Sequence, residues 1–327
     1  MENHTVFITG ITGQDGVFLA SHLLDDNKDF QIYGTSRKSN NTEFFKKVNL
    51  ISQSKKNDQI NLLNVNIEEE NVVSNIFKDI NPNYIINLSG PSSVNNSLKD
   101  ENSTMKSINR IFDNLIKASI ELKKLPTFFQ ATSSEMFSIK NENYLNEESL
   151  FEPRSPYAQA KFESYQKVKT LRESHDWDIK SGIMFNHESE FRPEGYLFSK
   201  IINQAIGVKN NTVEKIEVGS LSYIRDWSFA GDVAKAIKMI IFSEISDDFV
   251  IGSGEGNSIE KLIQIIFQEL DLDYKEYIEV NEGLLREGDP EVIISDPSKI
   301  KDKLGWSANL DFEKLVKRCL DFKLTTP

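Results

Sequence analysis

Tyr157 and Lys161 are the residues whose types and spacing most directly suggest chemistry. They lie four apart in the segment SPYAQAK, so a helix places both on one face. An ammonium beside a phenol stabilises the phenolate and lowers the tyrosine pKa from about 10. We therefore predict that Tyr157 is a base that takes a hydroxyl proton as hydride leaves the same carbon. This spacing is weak evidence on its own and gains weight from the segments around it.

Hydroxyls and a carboxylate follow the fifth predicted strand, in the segment ATSSEMF. Ligands of a doubly wound sheet bind beyond the carboxyl ends of its strands. We expect Ser133 and Glu135 to be catalytic and Ser134 to contact substrate. The alternative is that the hydroxyls cap the strand end and the glutamate is a surface residue.

Glycines at positions 10, 13 and 16 follow the first predicted strand and open a helix. A dinucleotide site needs such a turn, because the backbone must approach a pyrophosphate and the helix N-terminus then faces the anion. The alternative is a glycine-rich connection without a ligand. A P-loop is not indicated, because no Gly-Lys-Ser/Thr follows.

The second predicted strand ends with Arg37 and Lys38, where an NAD site usually has an acidic residue for the ribose 2′-hydroxyl. Basic side chains suit a 2′-phosphate, so we predict NADP rather than NAD. A solvated basic turn is the competing interpretation.

Alternating apolar segments and helical patterns must position these residues. The predicted strands of the first half are Thr5–Thr9, Phe30–Gly34, Ile60–Ile67, Tyr84–Ser89, Thr127–Ser134 and Ile179–Phe185. The predicted helices between them are Val17–Leu24, Val72–Ile80, about Thr104–Lys124 and Pro156–Ser174. This alternation indicates an α/β fold, a Rossmann-type doubly wound parallel sheet covered on both faces.

The pattern changes after Phe185, where a polar, irregular stretch runs from His187 to Tyr196. Beyond it we predict helices at Leu197–Ile206, Asp232–Phe242, Ile259–Leu270 and Phe312–Phe322, and strands near Lys215–Val218 and Phe249–Gly252. We expect residues 1–186, with about 229–255, to form the cofactor domain. Residues 187–228 and 256–327 should form a smaller, partly interleaved α+β substrate domain.

Composition excludes several classes of function. Acidic residues (50) outnumber basic ones (38) and give a formal net charge of −12, which disfavours binding to nucleic acid or anionic membranes. The single cysteine, Cys319, rules out an intrachain disulfide, and the four scattered histidines make a metal site unexpected. We see no signal peptide and no apolar run of about 20 residues, so we expect a cytoplasmic protein.

Several segments together resemble the extended short-chain dehydrogenase/reductases. They are ITGITGQDG, ATSSEMF, SPYAQAK, GIMFNHES, SLSYIRDWSFAGDVAKA and SDPSKIKDKLGW. Within that group the chain is most similar to the GDP-mannose 4,6-dehydratase family, over about residues 5 to 325. The segment NHES followed by RDW is the most specific part of the likeness.

The resemblance implies a role for each matching residue. It makes Tyr157 the base, Lys161 its partner at the nicotinamide ribose, Ser133 the hydroxyl beside sugar O4, and Glu135 the acid/base of water elimination. It implies that the cofactor-binding residues are Gly10, Thr12, Gly13, Gln14, Asp15, Gly16, Arg37, Asn66, Ile67, Leu88, Ser89, Gly90, His187 and Arg192. It implies that the substrate-binding residues are Ser92, Ser134, Asn186, Lys200, Arg225 and Arg286.

The implied activity is NADP-dependent conversion of GDP-mannose to GDP-4-keto-6-deoxymannose. This chain departs from many relatives in having Pro91-Ser92-Ser93, Asn66 and Ser133, which leaves the identity of the sugar open. The alternatives are another GDP-sugar such as a GDP-heptose, a nucleotide-sugar 4-epimerase or reductase, and a non-enzymatic cofactor-binding protein. Relatives assemble, so we also expect a homodimer or homotetramer.

Overall fold

A parallel sheet of seven strands forms the centre of the part of the chain that the structure describes. The computed structural model describes residues 4–26, 28–37, 41–54, 56–90, 100–138, 144–285 and 288–326. The strands of this sheet are β1 (His4–Thr9), β2 (Phe30–Ser36), β3 (Ile60–Asn64), β4 (Tyr84–Asn87), β5 (Thr127–Ser133), β7 (Ile179–Met184) and β11 (Asp248–Ile251). Their spatial order is β3-β2-β1-β4-β5-β7-β11.

The direction of strand progression reverses between β1 and β4, which are adjacent and parallel. Because every pairing in this sheet is parallel, the carboxyl ends of β1, β4 and β5 meet at one edge. Such a reversal point is where doubly wound sheets bind ligands. The predicted Rossmann-type fold is confirmed.

Helices cover both faces of the sheet, and further helices pack beyond it. Their bounds are α1 (Gln14–Leu24), α2 (Thr42–Ile51), α3 (Glu70–Ile80), α4 (Glu101–Ile120), α5 (Pro156–His175), α6 (Leu197–Lys209), α7 (Ala230–Ile241), α8 (Ile259–Glu269), α9 (Ser298–Leu304) and α10 (Phe312–Thr325). One apolar core lies between the sheet and α1, α2 and α7, and a second lies between the sheet and α3, α4 and α5. Strands buried on both faces explain why β1 and β4 read as continuous apolar runs.

Shorter strands and three helices build the rest of the chain. The strands are β6 (Tyr144–Leu145), β8 (Asn186–Glu188), β9 (Ile216–Val218), β10 (Ile224–Phe229), β12 (Gly256–Ser258), β13 (Ile278–Val280) and β14 (Val292–Ser295). A third apolar core joins α6, α8 and α10 around Trp227, whose ring stacks on Phe312 with centroids 5.4 Å apart. This core carries one wall of the cleft described below.

Sequence patterns missed the elements whose own periodicity is weak. Helix α2, helix α9 and strands β6, β10, β12, β13 and β14 were not predicted, and β8 lies at the start of the stretch expected to be irregular. Strand β10 was hidden because the segment IRDWSF carries charges, although Arg225 and Asp226 are buried. Partners supplied by distant segments, rather than an apolar pattern, stabilise β10.

Hydrogen bonds of Asp226 connect β10 to the segments around residues 253 and 295. Its carboxylate accepts hydrogen bonds from the backbone nitrogens of Ser253, Gly254 and Ser295 at 2.9, 3.0 and 3.1 Å. The hydroxyls of Ser253 and Ser295 also donate to it. Because Asp226 is 1 % exposed, these donors replace water for a buried charge.

We predict that Asp226→Asn lowers the free energy of unfolding by about 2–4 kcal/mol. An amide presents a donating NH₂ to backbone N–H groups that need an acceptor. Urea unfolding measures the loss, with the exposed Asp58→Asn as the matched control. Equal stability of the two variants would contradict the structural role of Asp226.

Candidate active site

A cleft of about 700 Å³ opens at the carboxyl edge of the sheet, at the reversal point between β1 and β4. The predicted site residues that line it are Gly10, Thr12, Gly13, Gln14, Asp15, Gly16, Arg37, Asn66, Ile67, Leu88, Ser89, Gly90, Ser133, Glu135, Tyr157, Lys161, Asn186, His187, Arg192, Lys200 and Arg225. Residues far apart in sequence are therefore brought to one cavity.

Two glycines of the first turn are required by the backbone itself. Gly10 has φ +66°, and a Cβ there would lie 3.2 Å from the Leu88 carbonyl oxygen. A Cβ on Gly16 would lie 2.4 Å from the carbonyl oxygen of Ile11, so α1 packs against the turn without room for a side chain. The Gly13 nitrogen donates to the Gly10 carbonyl at 2.9 Å and closes the turn. The cradle fits a pyrophosphate at the start of α1.

Helix α5 positions Tyr157 and Lys161. The Ser155 hydroxyl accepts a hydrogen bond from the Ala158 nitrogen at 3.1 Å, and Pro156 occupies the first turn, where its missing N–H costs nothing. Both functional side chains are consequently held in the first two turns. They are 8 % and 6 % exposed, respectively.

Tyr157 lies in a cluster with Ser133 and Glu135. Burial raises the pKa of Tyr157 to about 12, a hydrogen bond with Ser133 opposes the rise, and the charge of Glu135 adds to it. The three groups therefore interact across one corner of the cleft. Ser133 ends β5, and its hydroxyl also accepts a hydrogen bond from the Glu135 nitrogen at 3.3 Å.

The pKa of Tyr157 is raised by burial rather than lowered, contrary to the expectation from its spacing to Lys161. The Lys161 ammonium lies 5.8 Å from the centroid of the Tyr157 ring and donates instead to the carbonyl of Ala131 at 2.9 Å. Burial lowers the pKa of Lys161 to about 8, while the charge of Asp15 opposes that fall. At neutral pH a lysine with this pKa is still mostly protonated, but its ammonium is hydrogen-bonded to the Ala131 carbonyl rather than to the phenol.

A chain of buried hydrogen bonds runs from the glycine turn to that carbonyl. Thr9 Oγ1 donates to Asn87 Oδ1 at 2.6 Å, and Asn87 Nδ2 donates to Gln130 Oε1 at 2.8 Å. Gln130 Nε2 then donates to the Ala131 oxygen at 3.0 Å, beside the ammonium of Lys161. Strands β1, β4 and β5 are thus held in fixed positions beneath the cleft.

The first turn of α1 contacts the segment after β7. Gln14 donates to the His187 carbonyl at 3.1 Å and accepts from the Ser189 hydroxyl at 2.7 Å. Asp15 Oδ1 lies 3.0 Å from His187 Nε2. The Gln14 side chain therefore contributes to joining the two sides of the cleft, and its backbone remains at the helix start.

Arg225 lines the other half of the cleft and is largely neutralised there. Its guanidinium donates to the carbonyls of Ile224 and Glu291 at 2.9 and 3.3 Å and pairs with Asp289 at 3.3 Å. Lys200, in contrast, is exposed in the first turns of α6. The two cations expected to face substrate are therefore in different electrostatic environments.

One predicted substrate residue, Ser134, is not brought to this cleft, and two others lie outside the described residues. Ser134 is 6 % exposed and lies outside the lining, because the tight turn from Ser134 to Met136 directs Ser133 and Glu135 to the cavity and the residue between them away from it. Ser92 and Arg286 lie outside the described residues, as does Lys38.

The chain matches the family model described as GDP-mannose 4,6 dehydratase over residues 7–319. It belongs to the GDP-mannose 4,6-dehydratase family. A GDP-mannose 4,6 dehydratase of Arabidopsis thaliana is 32 % identical over 321 residues, covering 96 % of this chain and 85 % of the relative. One of Vibrio cholerae is 28 % identical over 341 residues, covering 94 % and 90 %.

Solved structures show the same fold at low identity. A UDP-glucose 4-epimerase of Thermotoga maritima has a TM-score of 0.84 at 19 % identity and covers 98 % of this chain and 99 % of its own. A dTDP-glucose 4,6-dehydratase of Streptomyces venezuelae, with NAD and TYD bound, has a TM-score of 0.84 at 15 % identity, covering 98 % and 97 %.

Sequence reasoning missed several residues that line the cleft of this family member. They include Thr35, Glu188, Tyr196, Glu217, Leu284, Leu285 and Asp289. Tyr196 precedes α6, and its ring lies 3.6 Å from the Arg192 guanidinium carbon. A glycine–tyrosine pair before an apolar helix gave no signal that its ring faces a ligand site.

Two kinds of feature are absent from the described residues. No cluster of three or more potential metal ligands occurs among them. None of the helices described is long and apolar enough to span a bilayer.

We predict a pH-dependent contribution of Lys161 to stability. Its pKa is lowered from the ordinary 10.5 to about 8, so between these values the unfolded chain binds more protons than the folded chain. The stability of the wild type relative to Lys161→Met should rise by roughly 1–3 kcal/mol as pH increases from 7 to 10. Urea unfolding across that range measures it, and a constant difference between the two proteins would refute the assignment.

Proposed function

We propose that the protein is an NADP-dependent 4,6-dehydratase that acts on a GDP-linked hexose, with GDP-mannose as its substrate. The observation that carries the proposal is the convergence of Tyr157, Ser133 and Glu135 in one cleft, within a chain of this family. A base, a hydroxyl and a separate carboxylate are the groups that oxidation at C4 followed by water loss requires.

The glycine turn supports a dinucleotide cofactor, because Gly10 and Gly16 leave a cradle that a Cβ would fill. The turn and the start of α1 would hold the pyrophosphate. Arg37 is exposed at the end of β2 and lines the cleft, where it would meet a 2′-phosphate. When bound, the nicotinamide would accept hydride from C4 in its oxidised, positively charged form and would return hydride to C6 in its reduced form.

Tyr157 and Ser133 carry out the first proton transfer in this proposal. The Tyr157 phenolate removes the O4 proton as C4 loses hydride and becomes the neutral phenol, and the Ser133 hydroxyl stabilises the phenolate before that transfer. A phenol whose pKa is about 12 is protonated at neutral pH, so its function as a base depends on positive charge near the phenolate. The Ser133 hydroxyl provides a hydrogen bond at the phenolic oxygen of Tyr157.

Glu135 carries out the elimination. The 4-keto group acidifies C5–H, and the Glu135 carboxylate takes that proton. Its carboxyl group then protonates O6, which departs as water. Glu135 is half-buried at the cleft, so it can reach substrate while β5 and the turn after it hold its backbone in place.

The other half of the cleft would bind the nucleotide. Asn186 and Lys200 line it, and Lys200 supplies the exposed cation for a diphosphate. Arg225 is already paired with Asp289, so it would hold the wall of the cleft in place more than it would neutralise the charge of the substrate. Assembly of the chain into a dimer or tetramer stays a prediction.

Mass spectrometry of the products from GDP-, CDP-, UDP- and dTDP-linked sugars tests the activity. We expect loss of one water from GDP-mannose with catalytic NADP⁺ and no net NADPH. A change of configuration without water loss would indicate a 4-epimerase. Consumption of added NADPH would indicate a reductase, and dehydration of a different GDP-sugar would correct the sugar assignment.

We predict that Glu135→Gln reduces dehydration by at least about 100-fold, the contribution typical of a positioned acid/base group. Transient oxidation at C4 should remain, because Tyr157 and Ser133 are unchanged. Product mass and absorbance of the reduced cofactor in a single turnover measure the two steps. Glu173→Gln, an exposed glutamate of α5, is the matched control. Dehydration by Glu135→Gln at the wild-type rate would remove the residue from the mechanism.

We predict that Arg37→Gln reduces the preference for NADP⁺ over NAD⁺ by about tenfold or more, because a charge-assisted contact to the 2′-phosphate is lost. Titration with each dinucleotide measures the ratio. Arg110→Gln, at an exposed position of α4, should leave it unchanged. An unaltered ratio in Arg37→Gln would leave the 2′-phosphate without this contact.

A further inference from the structure

Asp15 and His187 form a contact that the proposed reaction does not use. Asp15 is the second residue of α1, and His187 lies on β8 at the opposite side of the cleft floor. The imidazole Nε2 lies 3.0 Å from Asp15 Oδ1, and Nδ1 lies 2.7 Å from the Phe185 carbonyl oxygen. Both Asp15 and His187 line the cleft.

Each ring nitrogen of His187 therefore faces an oxygen that accepts hydrogen bonds. A neutral imidazole has one N–H and can satisfy only one of these acceptors, while an imidazolium satisfies both. The carbonyl of Phe185 cannot donate, so Nδ1 must carry a proton. The second proton lies between Nε2 and the carboxylate of Asp15.

The surroundings favour placing that proton on the ring. Burial opposes a charge on His187, but Asp15 and the Phe185 carbonyl together raise the pKa of His187 above its ordinary value. Burial likewise opposes ionisation of Asp15, while His187 and Arg192 lower its pKa. A raised pKa of His187 and a lowered pKa of Asp15 are what an ion pair between the two side chains produces.

Further charges lie against this pair. Arg192 Nε is 3.2 Å from Glu188 Oε2, and Lys161 faces Asp15 from α5. Burial raises the pKa of Glu188, and Arg192 and His187 oppose that rise. With every group ionised the cluster holds three cations and two carboxylates, so the charge of His187 determines whether it is positive or neutral.

We propose that Asp15 is a positioning residue of the cofactor site, which holds His187 as an imidazolium so that the cleft keeps a positive charge for a dinucleotide diphosphate. The inference rests on the proposed cofactor and deepens it. Asp15 itself would repel the anion, and its pairing with His187 turns an unfavourable carboxylate into support for a cation. Gln14 and Ser189 fix the same contact without adding charge.

The first test is the titration of His187 in the full chain, followed by NMR of labelled histidine and assigned with His187→Gln. The midpoint in the wild type should lie above the ordinary 6.5. In Asp15→Asn it should fall below that value, because burial and Arg192 then act without a counter-charge. A wild-type midpoint at or below 6.5 would overturn the proposal, even if Asp15→Asn did not fold.

The second test is the affinity for NADP⁺ between pH 6 and 8, measured by calorimetry. As the pH rises from 6 to 8, Asp15→Asn should lose about tenfold more affinity for NADP⁺ than the wild type. This is the effect expected when the pKa of one coupled proton, that of His187, shifts by about one unit. The comparison uses the pH dependence, because removing a carboxylate alone strengthens anion binding at every pH. Equal pH dependence in the two proteins would refute the role of Asp15.

Ser189→Ala is the matched control. It breaks the hydrogen bond to Gln14 at the same junction but keeps all charges, so the His187 midpoint should stay at its wild-type value. A shift as large as that in Asp15→Asn would show that mechanical support, and not charge, sets the titration. If the wild type did not bind NADP⁺ at any pH, the cofactor assignment would fail. If it bound NADP⁺ but the affinity did not follow the titration of His187, only this inference would be refuted.

Discussion

The hydrogen bond between Lys161 and the carbonyl of Ala131 is the interaction on which the cleft depends. It joins α5 to β5, and the buried amides of Asn87 and Gln130 continue it to β1. An ammonium in apolar surroundings needs such an acceptor, because an unpaired buried charge is costly. The position of Tyr157, one turn earlier on the same helix, follows from this anchor.

Charge in the cleft is arranged in pairs rather than as an open basic surface. Asp15 pairs with His187, Glu188 lies beside Arg192, and Arg225 pairs with Asp289. A chain with a net charge of −12 can still receive anionic ligands, because cations exceed carboxylates in the cluster around Asp15 and His187, where a phosphate is expected. The same pairing lets these cations be buried.

Local sequence signals predicted the first half of the fold and most of the lining. The Gly10–Gly13–Gly16 turn and the Tyr157–Lys161 spacing each specify a backbone or helical geometry within a few residues, and short-range geometry can be recognised in a sequence. The wall of the cleft that the third apolar core carries could not be predicted in this way. Strand β10 reads as polar because Asp226 is satisfied by donors near residues 253 and 295, which only the folded chain brings together. The raised pKa of Tyr157 could not be predicted for the same reason, because it depends on burial by distant segments.

The hydrogen bonds of Gln14 and Asp15 to the segment after β7 also determine where the cleft can open. They fasten its floor to the start of α1 by three short contacts, one of them between charges. Separation of the walls there would expose an ion pair and an amide at once. A ligand is therefore not expected to enter between the start of α1 and the segment after β7, because that route would break all three contacts at once.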